Sequence, residues 1–363
     1  MGRFGKLTAF VVMILLVLSV EKRADASKIA VGFLLPNLAK QLEWNAAELP
    51  VTSEIEETVV ESYEGLEEPL AKIDHEFREQ LAEENQLSFE SLLEEEETSQ
   101  QVLPEAEFEA AYSREQLNDY EFLLTRIYNV DAGTKTSPKQ LNAQKLLSYE
   151  FHVDKESSGP QILIYHTHSQ EAFVDSVPGD ESTTIVGMGS YLTTLLQQQG
   201  FRVIHHKEQF DMIDGKLDRN KAYTRAEPVI SEILAKNPDV QVVIDLHRDG
   251  VGEKVHLVKE IEGKPTAQVM FFNGLSFSAK NGSISYLPNP YIENNLALTM
   301  QMKLASDHLY PGFARKIYLK SLRFNLHLHP GAMLIEAGAQ TNTVEEMRNA
   351  MEVLARVLGD VLY

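Results

Sequence analysis

Residues 162–173 read ILIYHTHSQEAF. Four apolar residues follow one another without the polar alternation of a half-solvated strand, the mark of a strand buried on both faces of a mostly parallel sheet. The run then stops in three potential metal ligands: His166, His168 and Glu171. Two later runs end the same way. VVIDL, 242–246, leads into His247, Arg248 and Asp249, and AMLIE, 332–336, closes on Glu336. Helical patterns lie between and around these strands. VGMGSYLTTLLQQQG puts Met188, Tyr191, Leu192, Leu195 and Leu196 on one face before a stop at Gly200. NKAYTRAEPVISEILAKNP is helical with a proline interruption, and NNLALTMQMKLASDHLYPG is helical with Leu298, Met302 and Leu304 near one side. TVEEMRNAMEVLARVLGDVLY is amphipathic, with Thr343 as cap and Glu346 three residues on. FRVIHH, AQVMFFNG and ARKIYLK add further strands. The expected fold is α/β, a mostly parallel sheet covered by helices on both faces.

Four segments are expected. Residues 1–26 open with Arg3 and Lys6, then an uncharged run from Leu7 to Val20, then EKR and Ala24-Asp25-Ala26. A basic start before an apolar run is an export signal or membrane anchor. This places the chain at the cell membrane, with its domain extracytoplasmic, or secreted if the signal is cleaved. Residues 27–114 are an acidic, largely disordered spacer: from Ala47 to Ala110, 21 acidic residues face only Lys72 and Arg78, so nearly all of the net charge of −21 lies there. Residues 115–160 form a helical lead-in, with Leu117, Tyr120, Leu123, Leu124 and Ile127 at helical spacing. Residues 161–363 form the catalytic domain. An acidic surface repels phosphate backbones, so nucleic acid is not an expected partner.

The chain has no cysteine, so any metal must rest on His, Asp and Glu. In open α/β sheets, sites form beyond the carboxyl ends of strands, and buried strands of similar length bring His168, Glu171, His247 and Glu336 to one edge. Two imidazoles and a carboxylate are the three protein ligands of a catalytic zinc, whose fourth position is left for water. Glu336 remains as the group that takes a proton from that water and returns it to a leaving amine. Arg248 is positioned to pair with a substrate carboxylate or a developing oxyanion. His166 is expected to point away from His168, which leaves it and Asp249 as supporting groups. Asn325 opens NLHLHPG, with His327 and His329, a loop expected over the cleft. His205 and His206 are expected at the surface. No G-x-S-x-G, Walker loop or G-x-G-x-x-G stands at a strand–helix junction, which removes the usual support for serine hydrolase or nucleotide-binding readings.

ILIYHTHSQEAF, VVIDLHRDG and AMLIEAGAQTNTVEE, in that order and with IYNVDAGTKT and LNAQKLL upstream, resemble the stage II sporulation protein P family of endospore-forming Firmicutes over roughly residues 115–363. The resemblance implies an amidase-like fold and zinc-dependent hydrolysis of the amide joining stem peptide to muramic acid in peptidoglycan. It also implies cross-link cleavage, and action in engulfment with sporulation proteins D and M. It carries zinc to His168, Glu171 and His247 and the general base to Glu336. The wider amidase group places its ligand glutamate further from the first histidine, which makes Glu181 a competitor of Glu171. Two other readings stand beside this one: a metallocarboxypeptidase, which uses the same ligand logic, and a membrane-tethered wall-binding scaffold without activity.

Overall fold

The computed structural model describes residues 112–154 and 156–362. The segment expected to be an anchor and residues 27–111 of the acidic spacer lie outside them. No helix among the described residues is long and apolar enough to cross a membrane.

Seven strands form the main sheet: β1 (Tyr128–Val130), β2 (Ile162–Tyr165), β3 (Val203–His205), β4 (Val242–Asp249), β5 (Val269–Gly274), β6 (Ile317–Lys320) and β7 (Ala332–Ala339). Their order is β1-β6-β5-β7-β4-β2-β3. Every neighbouring pair is parallel except β5 and β7, where Glu336 faces Met270 in antiparallel register. The sheet is therefore mixed, built of two parallel blocks that run in opposite senses. The connections explain the reversal. A parallel neighbour needs a crossover of a dozen or more residues, usually with a helix. Between β4 and β5 the chain holds only a hairpin, Val258–Ile261 with Lys264–Ala267, and between β6 and β7 only a short link with the turn Leu326–Leu328. Because β2, β4 and β7 belong to the same block, their carboxyl ends do meet at one edge.

Strand alternation separates two cores. Val242, Ile244 and Leu246 of β4 join a large core with α1 (Ile185–Gln198), α3 (Ile292–Leu309) and α4 (Val344–Leu362). Val243 joins a smaller core on the other face with Leu163, Tyr165, Leu334 and Phe272, under Ala222, Ala226 and Ile230 of α2 (Ala222–Lys236). Helices thus cover both faces, unequally. Pro228 sits within α2, which continues through it, so the expected interruption is absent. α4 begins as its sequence requires: the Glu346 N–H donates to Thr343 Oγ1 at 3.2 Å and the Thr343 N–H to Glu346 Oε2 at 3.0 Å, a reciprocal capping box.

The lead-in differs from the expectation. It contains short helical pieces, Arg114–Asn118, Tyr120–Phe122, Leu123–Ile127 and Ala143–Leu146, but Tyr128–Val130 is the edge strand beside β6. Leu123, Ile127, Leu141 and Leu146 are buried in the large core. An aromatic and a β-branched residue favour extended backbone here. The lead-in shares its core with the strands and helices that follow it and is not a separate layer.

Candidate metal centre

Thr167 is the first fixed point after β2. Its N–H and hydroxyl both donate to the buried carboxylate of Asp245 on β4, at 2.8 and 2.5 Å. Two residues further on, Ser169 Oγ and the Gln170 N–H donate to the two oxygens of Asp211, at 2.7 and 3.2 Å. These anchors bracket His168, and Glu171 follows the second of them directly. Glu171 is pinned again, because its Oε2 accepts the Arg248 backbone N–H at 2.7 Å.

Ligand-capable atoms of His168, Glu171 and His247 all lie within 4.8 Å of one another. Glu171 Oε1 is 3.4 Å from His168 Nδ1 and 3.8 Å from His247 Nδ1, and the two imidazole rings are nearly perpendicular at 4.8 Å. The other nitrogen of His247, Nε2, is 2.8 Å from Asp245 Oδ1, with the carboxylate off the hydrogen-bond axis. Glu336 is the register partner of His247 across the parallel β7–β4 pair, so both project from the same face. His247 and Glu171 are buried, while the His168 side chain is 18% exposed and marks the open side.

The electrostatics follow from this crowding. Burial opposes ionisation of Glu171, but His168 and His247 outweigh it and hold its carboxyl well below the usual range. Burial pushes Glu336 well above that range; His247 pulls the other way, and the Asp249, Glu171 and Asp245 carboxylates add to the rise. Burial disfavours charge on His247, yet Asp245 and Glu171 raise it well above an ordinary imidazole. Several carboxylates held around two imidazoles favour a cation. The residues fit a zinc-type site on three counts: the donor set, its open side, and two buried atoms, His168 Nε2 and Glu336 Oε2, that lack hydrogen-bond partners.

The remaining expected residues fall outside this cluster. His166 points to the large-core face. The Leu246 carbonyl only accepts, so His166 donates to it through Nδ1 at 2.7 Å and accepts at Nε2 from His205 at 2.8 Å. Burial lowers His166 to about 4 and, with His166 adjacent, His205 to about 3. His205 is thus a half-buried partner of His166 and not a free surface residue. The pair closes beneath α1, where a Cβ on Gly189 would stand 2.6 Å from His166 Nε2. Arg248 donates from Nε to the Ala172 carbonyl and from a terminal nitrogen to its own neighbour's, Asp249, both at 2.9 Å, so it braces the Glu171 loop. Asp249 pairs with Arg315 and accepts the Gly250 N–H. Asn325, at φ 56°, donates to the Tyr223 carbonyl at 2.8 Å and holds the start of α2. His327 meets Glu227, which also accepts both contacts of Arg323. Glu181 is exposed and paired with Lys207 at 2.9 Å, while Glu171 stands in the cluster.

Two contributors carried no motif. Tyr223 of α2 lies nearly parallel to the His247 ring at 6.4 Å and edge-on to His168 at 5.7 Å, roofing both. Only its place at the start of a helix that follows a polar loop could have marked it. Asp245 had a readable signal, since it shares the parity of His247 in VVIDLH and is a charge within an apolar strand. Arg219, one turn before Tyr223, is close enough for its charge to act on Arg248.

The sequence model of Stage II sporulation protein P matches residues 41–359. The chain is similar to Stage II sporulation protein P of Bacillus subtilis (strain 168), 25% identical over 251 residues, which is 64% of this chain and 55% of the relative. It therefore spans about half the length of that curated relative. Among solved structures it is similar to the CwlD amidase from Clostridioides difficile, determined in complex with the GerS lipoprotein. That match has 13% identity and a TM-score of 0.32, covering 54% of this chain and 96% of that one. It is also similar to the N-acetylmuramoyl-L-alanine amidase AmiC2 of Nostoc punctiforme, at 14% identity and a TM-score of 0.30, covering 56% and 97%.

Proposed function

The chain belongs to the Stage II sporulation protein P family, and from that premise we propose that it is a zinc-dependent peptidoglycan amidase. Its reaction is hydrolysis of the amide between muramic acid and the stem peptide, with cleavage of peptide cross-links as a second activity. One observation carries the reading: His168, Glu171 and His247 converge within 4.8 Å, with half-buried Glu336, its Oε2 withdrawn from water, beside His247 on the next strand.

His168, Glu171 and His247 would hold the zinc, and Asp245 beside Nε2 of His247 orients that ring, the arrangement in which an outer carboxylate steadies a metal-bound imidazole. The chemistry zinc supplies there is Lewis acidity towards water and the amide carbonyl. Glu336 carries the proton. Ionised once a cation at the cluster offsets the surrounding carboxylates, its unbonded Oε2 would accept the proton from the attacking water and hand it to the amide nitrogen, so that the C–N bond breaks with a neutral amine leaving. Tyr223 keeps bulk water from the faces of the two imidazoles. Arg248 and Thr167 hold the loop and strand that present the ligands.

The basic and apolar N-terminus supports a catalytic domain outside the membrane, tethered by residues 1–26. Family membership supports a place in engulfment, with sporulation proteins D and M as partners.

Incubation of the purified full chain with peptidoglycan, with and without chelator, tests the reading by mass analysis of the products. Zinc-dependent loss of stem peptides from muramic acid is expected. Release of single amino acids from free peptide C-termini would instead identify a metallocarboxypeptidase. Absence of both digestion and stoichiometric metal would leave a wall-binding scaffold.

A further inference from the structure

Beside the loop that carries His168 and Glu171 stands a hairpin, Met212–Ile213 with Lys216–Leu217, turned at Asp214 and Gly215 with φ of 49° and 77°. It is tied to that loop through Asp211, which accepts from Ser169 and Gln170 and whose carbonyl accepts the Asp218 N–H. Arg225 of α2 clamps its base by donating to the Phe210 and Met212 carbonyls. Between this hairpin and the start of α2 lies an open cavity of about 560 Å³.

Arg219 lines that cavity. Its Nε is buried without a hydrogen-bond partner, and among the described residues its guanidinium forms no ion pair. The nearby acids do not serve it. Asp218 is committed to Lys221, whose N–H and Nζ it meets at 3.3 and 3.2 Å. Asp214 is exposed at the tip of the turn, and Lys216 adds a second cation to the same wall. A guanidinium donor withdrawn from water and left unbonded is unfavourable, and its planar fork matches a carboxylate. Its location gives that preference a use. Arg219 opens the 3₁₀ turn Arg219–Lys221 that leads into α2, four residues before Tyr223, and Tyr223 roofs His247 and His168.

We propose that Arg219 is the recognition point for a peptide carboxylate next to the scissile bond, and that the cavity under the hairpin receives the leaving stem peptide. This rests on the amidase reading for the identity of the peptide. With the muramoyl amide at the His–Glu–His cluster, the carboxylate one residue beyond the released amine is the anion within reach. In a stem peptide whose second residue is linked through its γ-carboxyl, that group is the free α-carboxylate.

The test uses two ligands that differ only there, N-acetylmuramoyl-L-alanyl-D-isoglutamate and its D-isoglutamine counterpart. Binding is measured by calorimetry to the full chain carrying Glu336→Gln, which prevents turnover, and hydrolysis is measured separately with the unsubstituted chain. The isoglutamate ligand is expected to bind on the order of tenfold more tightly, as one charge-assisted contact allows. Arg219→Ala should erase the difference and leave isoglutamine binding unchanged, and Arg219→Lys should keep part of it. Equal weakening of both ligands by Arg219→Ala, no preference in the parent, or no binding of either ligand overturns the proposal. A retained carboxylate preference without hydrolysis by the unsubstituted chain would count against the amidase reading and not against the carboxylate site. Hydrolysis of both ligands without preference would do the reverse.

Discussion

Glu336 on β7 stands in direct register with His247 on β4, so a half-buried carboxyl and a candidate metal ligand project side by side from neighbouring parallel strands. The relationship divides labour between them: one side chain can be neutralised without removing the other's ligand atom. Glu336→Gln is expected to lower wall hydrolysis by about 10²–10⁴-fold, the usual range for loss of a positioned acid–base group, while zinc content measured by elemental analysis stays at the parent level. A variant that digests normally would show that another group moves the proton.

Asp245 does not reach the Glu171 oxygens, yet it touches His247 Nε2 and receives two hydrogen bonds from Thr167. Asp245→Asn should weaken zinc binding by roughly 10–100-fold, the range seen when outer partners of ligands are changed. Competition with a chromophoric chelator reads this directly, and unchanged affinity would separate Asp245 from the site.

Tyr223 contributes a ring rather than a charge in this arrangement. Tyr223→Phe is expected to keep parental zinc affinity, whereas Tyr223→Ala opens the His168 and His247 faces to water and lowers it. Equal loss in both variants, read by the same chelator competition, would assign the effect to the hydroxyl.

At Gly189 an added Cβ would press on His166 Nε2 at 2.6 Å and on His205 Nε2 at 2.8 Å. Overpacking of this kind costs about 1–3 kcal/mol, so Gly189→Ala should lower the unfolding free energy by that amount, read as a lower denaturant midpoint at unchanged slope. An unaffected midpoint would mean that the histidine pair moves apart without penalty.

The cap of α4 supplies a pH-dependent contribution. Burial opposes ionisation of Glu346, but hydrogen bonds from His256, Asn342 and the Thr343 N–H hold its carboxyl below the unfolded value of 4.5. A lowered folded-state value means the stabilisation is complete above 4.5 and disappears as pH falls through the folded-state value. Glu346→Gln should therefore cost about 0.5–1 kcal/mol at pH 7 and progressively less below pH 4, measured by chemical denaturation across that range.

The site was legible because its chemistry interrupts apolar strands. Ile162–Tyr165 and Val242–Leu246 leave His168, Glu171 and His247 as polar side chains able to meet, whereas His166 keeps the parity and the large-core face of Ile162 and Ile164 and is parted from His168 only because the strand ends at Tyr165. What was not legible depends on connections and on helices. The reversal of β5 against β7 follows from a hairpin in place of a crossover helix, which the strand residues themselves do not encode. Tyr128–Val130 reads as helix because Leu123, Leu124 and Ile127 before it keep a helical spacing up to its first residue. Tyr223 and Arg219 became visible only when α2 was laid against the strand ends, since nothing in their neighbourhood departs from an ordinary helix start. Arg248 was assigned by chemistry, but its position on the face opposite His247 commits it to backbone carbonyls.

The position of β7 also governs when the molecule can acquire its chemistry. This strand, the last in the chain, fills the slot between β4 and β5 near the middle of the sheet. Until it is synthesised, both neighbours present open edges, which invite pairing with other chains. Glu336 arrives in the same step that seals those edges, so a nascent chain holds His168, Glu171 and His247 before Glu336, and the cluster is complete only when the sheet closes.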